Sequence, residues 1–225
     1  MATSYAPNIV SDGLVACWDA AGKRSYPGTG TTWTDVVAGY IGTLYNFEAG
    51  FFDSANGGSL DFDGTDSYVR TPAPSPDGTG GFAIEFWAKF DDASNTDCMF
   101  ANYTVDKCQI VIRPENDFRV QLGGSAAVDY DDLEVTSGIW YCMLISRIGS
   151  TLKGYIDGVE IFSVSNSTDL ATSGDSYFGI QHYGGDPGSV DHPFDGEMAI
   201  MRWYNRGLTD AEVLQNYNAL KWRFQ

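Results

Sequence analysis

The chain has 225 residues, 30 acidic and 13 basic, for a formal net charge of -17 at pH 7. A surface that acidic repels phosphate and excludes bare DNA or RNA as partners, and no apolar run approaches the ~18 residues of a membrane helix. Thirteen Tyr, 13 Phe, six Trp and 26 Gly are the balance of a sheet-and-turn protein, long enough to bury a core without a metal or disulfide staple.

Met1–Pro7 lacks the basic region and apolar stretch of a secretion signal, so synthesis and folding in a cytoplasm are expected. Met1–Val10 carries no charged side chain and offers Tyr5, Pro7 and Ile9 as anchors for docking on a partner. The competing reading of residues 1–8 is a frayed tail. Short runs rich in β-branched and aromatic residues then recur between turn signals and predict strands. Examples are Leu14–Trp18, Ser59–Phe62, Tyr68–Arg70, Phe82–Phe90, Gln109–Arg113, Phe118–Leu122, Trp140–Arg147, Leu152–Ile156, Val159–Val164, Tyr177–Ile180 and Glu197–Tyr204.

Thr71–Gly81, rich in Pro, Ser and Gly, reads as a loop within one domain and not as a linker between two. Ile84, Phe86, Ala88 and Phe90 alternate with Glu85, Trp87 and Lys89, the period of a half-buried strand. Asp157-Gly158, between two strand-like runs, suits a two-residue type I′ hairpin turn, where both positions take positive φ. Thr209-Asp-Ala-Glu212 reads as a capping box. Val213, Leu214, Tyr217 and Leu220 follow at helical spacing. Ten or more strands and one late helix predict an all-β antiparallel sandwich over residues 1–225.

The four cysteines, Cys17, Cys98, Cys108 and Cys142, form no pattern. Cys98 and Cys108 are spaced to face each other across a hairpin, but reduced thiols are expected, and no C-x-x-C pair supports a zinc site. Asp61-Phe-Asp63-Gly-Thr-Asp66 packs three carboxylates into six residues at a strand-to-turn junction, the oxygen-donor arrangement that Ca²⁺ takes. It is not an EF-hand, because Pro72 stands where the last glutamate would. The competing reading is Asp and Gly as turn formers. No other cofactor is expected. Trp33, Tyr103 and Tyr183 are the loop aromatics that would form a sugar platform if exposed.

Three segments together carry a resemblance. They are Asp12-Gly-Leu-Val-Ala-Cys-Trp-Asp with Ser25-Tyr-Pro-Gly-Thr-Gly-Thr-Thr-Trp-Thr-Asp35, then Gly58-Ser-Leu-Asp-Phe-Asp-Gly-Thr-Asp-Ser-Tyr-Val69, then Phe194-Asp-Gly-Glu with Trp203-Tyr-Asn-Arg-Gly-Leu-Thr-Asp-Ala-Glu-Val213. With Ile139-Trp-Tyr and Tyr155-Ile-Asp-Gly-Val159, the chain resembles laminin-G-like domains of the concanavalin A-like superfamily from Ile9 to about Phe224. The resemblance implies a two-sheet jelly roll. Phe62 and Phe194 would fill the core beside turns at Gly64 and Gly196, and Leu208 and the helix would close one end. It also implies calcium at a rim, since related domains often hold it there. The Ser25–Asp35 block resembles the stand-alone domains of tailed-phage virion proteins.

Fold does not fix function, so each chemistry is tested on residues. Asp129-Tyr-Asp131-Asp-Leu-Glu134 gives D-x-D-x-x-E where laminarinase-type glycosidases on this fold use E-x-D-x-x-E, so the first carboxylate of the pair departs from the pattern. There is no Gly-x-Ser-x-Gly elbow and no Gly-rich phosphate loop. His182 and His192 sit in a Gly- and Asp-rich stretch that reads as surface loop. The expectation is a non-enzymatic virion structural protein, a capsid decoration or accessory protein docking on coat protein at the virion surface. It would be synthesised in host cytoplasm and present in repeated copies or as a homo-oligomer. The alternatives are a tail or fibre adhesin binding host polysaccharide, and a soluble carbohydrate-binding module or glycosidase remnant. Nucleic acid and membrane insertion are excluded as partners.

Overall fold

The computed structural model describes residues 7–73, 75–102, 108–113, 117–123, 125–130, 135–170, 174–182 and 190–225. In chain order the strands begin with β1 (Leu14–Asp19), β2 (Thr32–Thr34), β3 (Ile41–Tyr45), β4 (Phe52–Asp53), β5 (Ser59–Asp63) and β6 (Tyr68–Thr71). Next come β7 (Phe82–Phe90), β8 (Asp97–Asn102), β9 (Cys108–Arg113), β10 (Asp117–Leu122), β11 (Ser125–Tyr130) and β12 (Trp140–Ile148). The last are β13 (Thr151–Ile156), β14 (Val159–Ser165), β15 (Ser176–Phe178), β16 (Gln181–His182), β17 (Val190–Asp191) and β18 (Asp195–Tyr204), followed by α1 (Asp210–Leu220).

Among the described residues, the strands form two eight-stranded antiparallel sheets and one two-stranded ribbon. The first sheet runs β14-β13-β12-β7-β18-β5-β4, with β1 also on β18; the second runs β11-β10-β9-β8-β15-β6-β3-β2; the ribbon is β16-β17. β18 organises the first sheet. β7 pairs along one side of it, while β5 takes Asp195–Met198 and β1 takes Ile200–Tyr204 on the other. Gly196 is required in this hub: its φ is 147°, and a Cβ there would lie 2.1 Å from the Lys89 carbonyl oxygen of β7. The turn at Asp157-Gly158 has φ of 51° and 80°, as the type I′ reading expects.

Alternation fills the space between the sheets. Trp18, Phe62, Ile84, Phe86, Phe90, Met143 and Ile145 from the first meet Leu44, Val69, Phe100, Ile110, Phe118, Val120 and Phe178 from the second. Phe62 and Phe194 are both in this core, 5.4 Å apart as rings. The four cysteines are buried and free. Register sets Cys98 opposite Val111 and Cys108 opposite Asn102, so the two do not face each other, and burial pushes the Cys108 thiol up to about 12.

Two expectations are corrected here. β7 is not half-buried; Glu85 and Trp87 are as inaccessible as Ile84 and Phe86. The helix does not close an end of the sandwich. It lies across the outer face of the first sheet, where Trp87 stacks between Tyr217 (5.8 Å) and Phe224 (4.3 Å). Thr209 and Glu212 form the expected capping box. The buried helix positions are Val213, Asn216 and Ala219, while Leu214 faces solvent. Asn216 is the polar pin that apolar spacing passes over. Its amide donates to Glu85 Oε2 (2.7 Å) and Tyr204 Oη (3.0 Å) and accepts from Val10 N–H (2.8 Å), and Glu85 in turn holds Arg202 at 2.5 Å. No helix among the described residues is long and apolar enough to cross a membrane.

Candidate functional site

Among the described residues, no helix lies over the outer face of the second sheet. Because Leu44, Val69 and Phe178 point into the core, their neighbours Thr43 and Tyr45, Tyr68 and Arg70, and Tyr177 point outward. Register brings them into a row, with Tyr45 opposite Tyr68, and Arg70 opposite both Thr43 and Tyr177. The Tyr45 and Tyr68 rings stack at 4.8 Å with an interplanar angle of 10°, and Tyr177 follows at 6.1 Å. Ile180 is fully buried beneath this cluster, Tyr68 and Tyr177 are nearly so, and Tyr45 is half exposed. Arg70 Nε meets Asp175 Oδ2 at 2.5 Å, with side chains 42% and 26% exposed.

Beside the tyrosines, the β16-β17 ribbon packs on β8, and Gln181 Nε2 donates to Gln109 Oε1 (2.9 Å). Gln109 is buried, yet its Nε2 has no hydrogen-bond partner. A buried donor of this kind is commonly met by an ordered water. On the far side of the face, Arg119 and Asp129 pair at 3.4 Å. Among the described residues, the arrangement offers stacking surface, an amide donor and paired charges, which can hold a polar, ring-shaped ligand.

The rim next to this face is acidic. A cavity of about 300 Å³ lies there, lined by Gly64, Asn95, Thr96, Asp191, His192 and Pro193. Asp97 is buried at the start of β8; its Oδ1 accepts from Asp195 N–H (3.0 Å) and its Oδ2 has no partner. Burial pushes this carboxyl up to about 7; the Asp195 N–H bond opposes the shift, while the charges of Asp195 and Asp92 add to it. Burial likewise raises Asp61 to about 6, with Asp91, Glu197 and Asp195 adding repulsion.

The sequence-derived candidates fall as follows. Trp33 is fully buried between the sheets, so it is no sugar platform; β2 pairs with β3 and turns its ring inward. Tyr103, Tyr183 and Tyr5 lie outside the described residues, as do Asp131 and Glu134. Asp129 sits on the outer strand β11, opposite Arg119. Asp61, Asp63 and Asp66 do not converge on one point, and among the described residues no three His, Cys, Asp or Glu side chains form a group that could hold a metal. Asp61 points outward beside Glu197, which is bound to Lys89. Asp63 Oδ1 accepts from Thr65 N–H, Asp66 N–H, Ser67 N–H and Ser67 Oγ. Burial alone would raise its pKa, but these bonds hold it below the usual range.

Pro7 is exposed, whereas Ile9 is half-buried and the backbone around it is held by its own domain. Asn8 C=O accepts from Gln215 and Val10 C=O from Tyr204. Residues 8–10 are therefore tied to their own domain, and residues 1–6 lie outside the described residues. Sequence reasoning missed Tyr45, Tyr68, Arg70, Asp175 and Tyr177. The signal was the alternation in Thr43-Leu-Tyr45 and Tyr68-Val-Arg70, which leaves two polar or aromatic side chains on one face.

The sequence pattern described as "Concanavalin A-like lectin/glucanases superfamily" matches residues 63–214. A search of curated protein sequences gives no match. Among solved structures, the chain is similar to domain 4 of AbnA, a GH43 extracellular arabinanase from Geobacillus stearothermophilus, in complex with arabinotriose. That likeness has a TM-score of 0.70 at 20% identity and covers 91% of this chain and 98% of that one. A mutant Trypanosoma rangeli sialidase displaying trans-sialidase activity gives a TM-score of 0.68 at 14% identity, over 95% of this chain and 34% of that one. The receptor binding domain of botulinum neurotoxin type G gives 0.64 at 15%, over 92% and 51%. The chain thus spans about a third of the sialidase and half of the toxin domain. At these identities the likeness establishes the fold.

Proposed function

The chain belongs to the concanavalin A-like lectin/glucanases superfamily, and from that premise we propose that it is a non-enzymatic module that recognises a glycan on the outer face of its second sheet. One observation carries the reading: the tyrosine row Tyr45-Tyr68-Tyr177 stands beside the Arg70–Asp175 pair and the Gln109 amide, whose Nε2 has no hydrogen-bond partner. Sugar rings stack on aromatic faces through their C–H bonds, while amides and ion-paired side chains take the hydroxyls. The arabinanase domain in complex with arabinotriose supports the reading as a precedent on the same fold. Tyr45 is the accessible end of the row and the natural contact. Binding of oligosaccharides from a glycan array, measured by calorimetry, should be lost in Tyr45→Ala. Retention of full affinity in that variant would place the glycan elsewhere.

A second reading concerns location. We propose that the domain is displayed on the outside of a phage particle, supported by the resemblance of the Ser25–Asp35 block to stand-alone phage domains and by the charge of -17. Such a charge keeps free subunits apart from packaged DNA. The block itself serves the fold: Ser25 Oγ donates to Thr34 C=O, and Asp35 accepts from the N–H groups of Cys17, Val37 and Ala38. Docking on coat protein then falls to another surface. Mass spectrometry of purified particles tests this reading; absence of the protein there would remove it and leave the free binding module.

A further inference from the structure

We infer that the glycan held on the second sheet's outer face is uncharged, and that uronate and sulfated sugars are rejected there. The inference rests on the glycan reading and adds the ligand's charge class. Recognition of a sugar carboxylate or sulfate needs a cation free to answer it, commonly an arginine fork. Among the side chains described on this face, the cations are Arg70 and Arg119, and each faces a carboxylate of the protein, Asp175 at 2.5 Å and Asp129 at 3.4 Å.

The surroundings push the same way. The stretches leaving this sheet and its ribbon at 103–107, 113–117, 131–134 and 183–189 carry seven acidic and two basic residues, a net of -5. The adjoining rim adds Asp66, Asp191 and Asp195. An anionic sugar at the tyrosine row would approach a protein of formal net charge -17, with a repulsion that salt screens over about one Debye length, ~8 Å at physiological salt. It would have to displace Asp175 from Arg70 to gain a counter-ion. A neutral sugar needs neither step, since ring stacking and the Gln109 amide do not depend on ligand charge.

The test uses the full chain and matched probes: galacto-oligosaccharides against oligogalacturonate of the same length, beside a broad array of neutral, uronate and sulfated glycans. Neutral binders should lose at least about tenfold in affinity in Tyr45→Ala and change little between low and high salt. Acidic counterparts should bind at least about tenfold more weakly at low salt, with the gap closing as salt screens the protein's field. Acidic glycans bound as tightly as neutral ones, and weakened by Tyr45→Ala, would overturn the charge inference while leaving the face in place. Binding that is insensitive to Tyr45→Ala, or an array with no binder, would remove the glycan reading and this inference with it.

Discussion

The two outer faces of this sandwich each carry an arginine bound to a carboxylate at 2.5 Å, and the two pairs have opposite surroundings. Arg202 and Glu85, on the first sheet, are 2% and 0% exposed under α1. Arg70 and Asp175, on the second, are 42% and 26% exposed beside the tyrosine row. The same bond length therefore describes two different devices. Under the helix, both charges have left water and are repaid by a network through Asn216, Tyr204 and Val10. On the open face, water screens the pair and leaves it free to exchange partners. One pair is committed to holding the fold, and the other stands partly in solvent.

The largest effect should come from breaking the roofed pair. Arg202→Met leaves Glu85 charged and buried, and removal of one member of such a pair costs about 3–5 kcal/mol. Urea unfolding at neutral pH should show the loss as a lower midpoint with a similar slope. A change below about 1 kcal/mol would mean that the helix-covered face is wetter than its side-chain burial implies.

Asp97 separates the rim from both faces by its pH dependence. Its folded pKa of about 7 lies above the unfolded value of about 4, so the native state holds the extra proton between those pH values. Stability from this group is therefore fully present below about pH 4 and is lost as pH rises through 7. Between pH 8 and pH 6 the wild-type melting temperature should rise, with Asp61 acting in the same direction from its pKa of about 6. Asp97→Asn keeps the acceptor for Asp195 N–H and removes the titration, so it should flatten that slope. An unchanged slope would show that the Asp97 carboxylate is already compensated.

The contrast between the faces was only partly readable in the chain. Runs such as Trp140–Arg147 and Val159–Val164, the capping box at Thr209 and the Asp157-Gly158 turn rest on local chemistry, where a few neighbouring residues decide the outcome, and those were legible. Strands β2, β3, β4, β8, β11, β16 and β17 were not among the predicted runs: β4, β16 and β17 are two residues each, and Asp97-Cys-Met-Phe-Ala-Asn102 lacks clean alternation and gains its strand character from long-range pairing. β7 read as half-buried because its own period cannot reveal that a helix over a hundred residues later covers the second face. Trp33 misled for the same reason: a loop-like context of Thr and Gly says nothing about which sheet buries the ring. The tyrosine row was half legible: alternation puts Tyr45 and Tyr68 on one side of their strands, but only register brings them together with Tyr177.

The turn at Asp63 should respond next. Its carboxylate caps three backbone N–H groups and Ser67 Oγ, bonds to a charged acceptor whose joint loss costs about 1–3 kcal/mol at a partly exposed site. Asp63→Ala should lower the unfolding free energy by that amount. Because the cap is made by the chain itself, the loss should be the same with chelator and with millimolar calcium. A loss that appears only when calcium is present would assign the carboxylate to a metal after all.

The smallest stability effect should be at the exposed pair, and it is the sharper half of the comparison. Arg70→Met removes a bond as short as that of Arg202, but solvent already hydrates both partners and releasing two long side chains returns rotamer entropy. The expected cost is below about 1 kcal/mol. A double-mutant cycle over Arg70 and Asp175 should give a coupling of the same order, against several kcal/mol for Arg202 and Glu85. Glycan affinity should behave in reverse: Arg202→Met, where still folded, should bind as the parent does, while Arg70→Met should weaken binding by removing a donor beside Tyr177. If Arg70→Met instead destabilises the domain as strongly as Arg202→Met, the second face is a buried structural face like the first, and the tyrosine row is part of its packing.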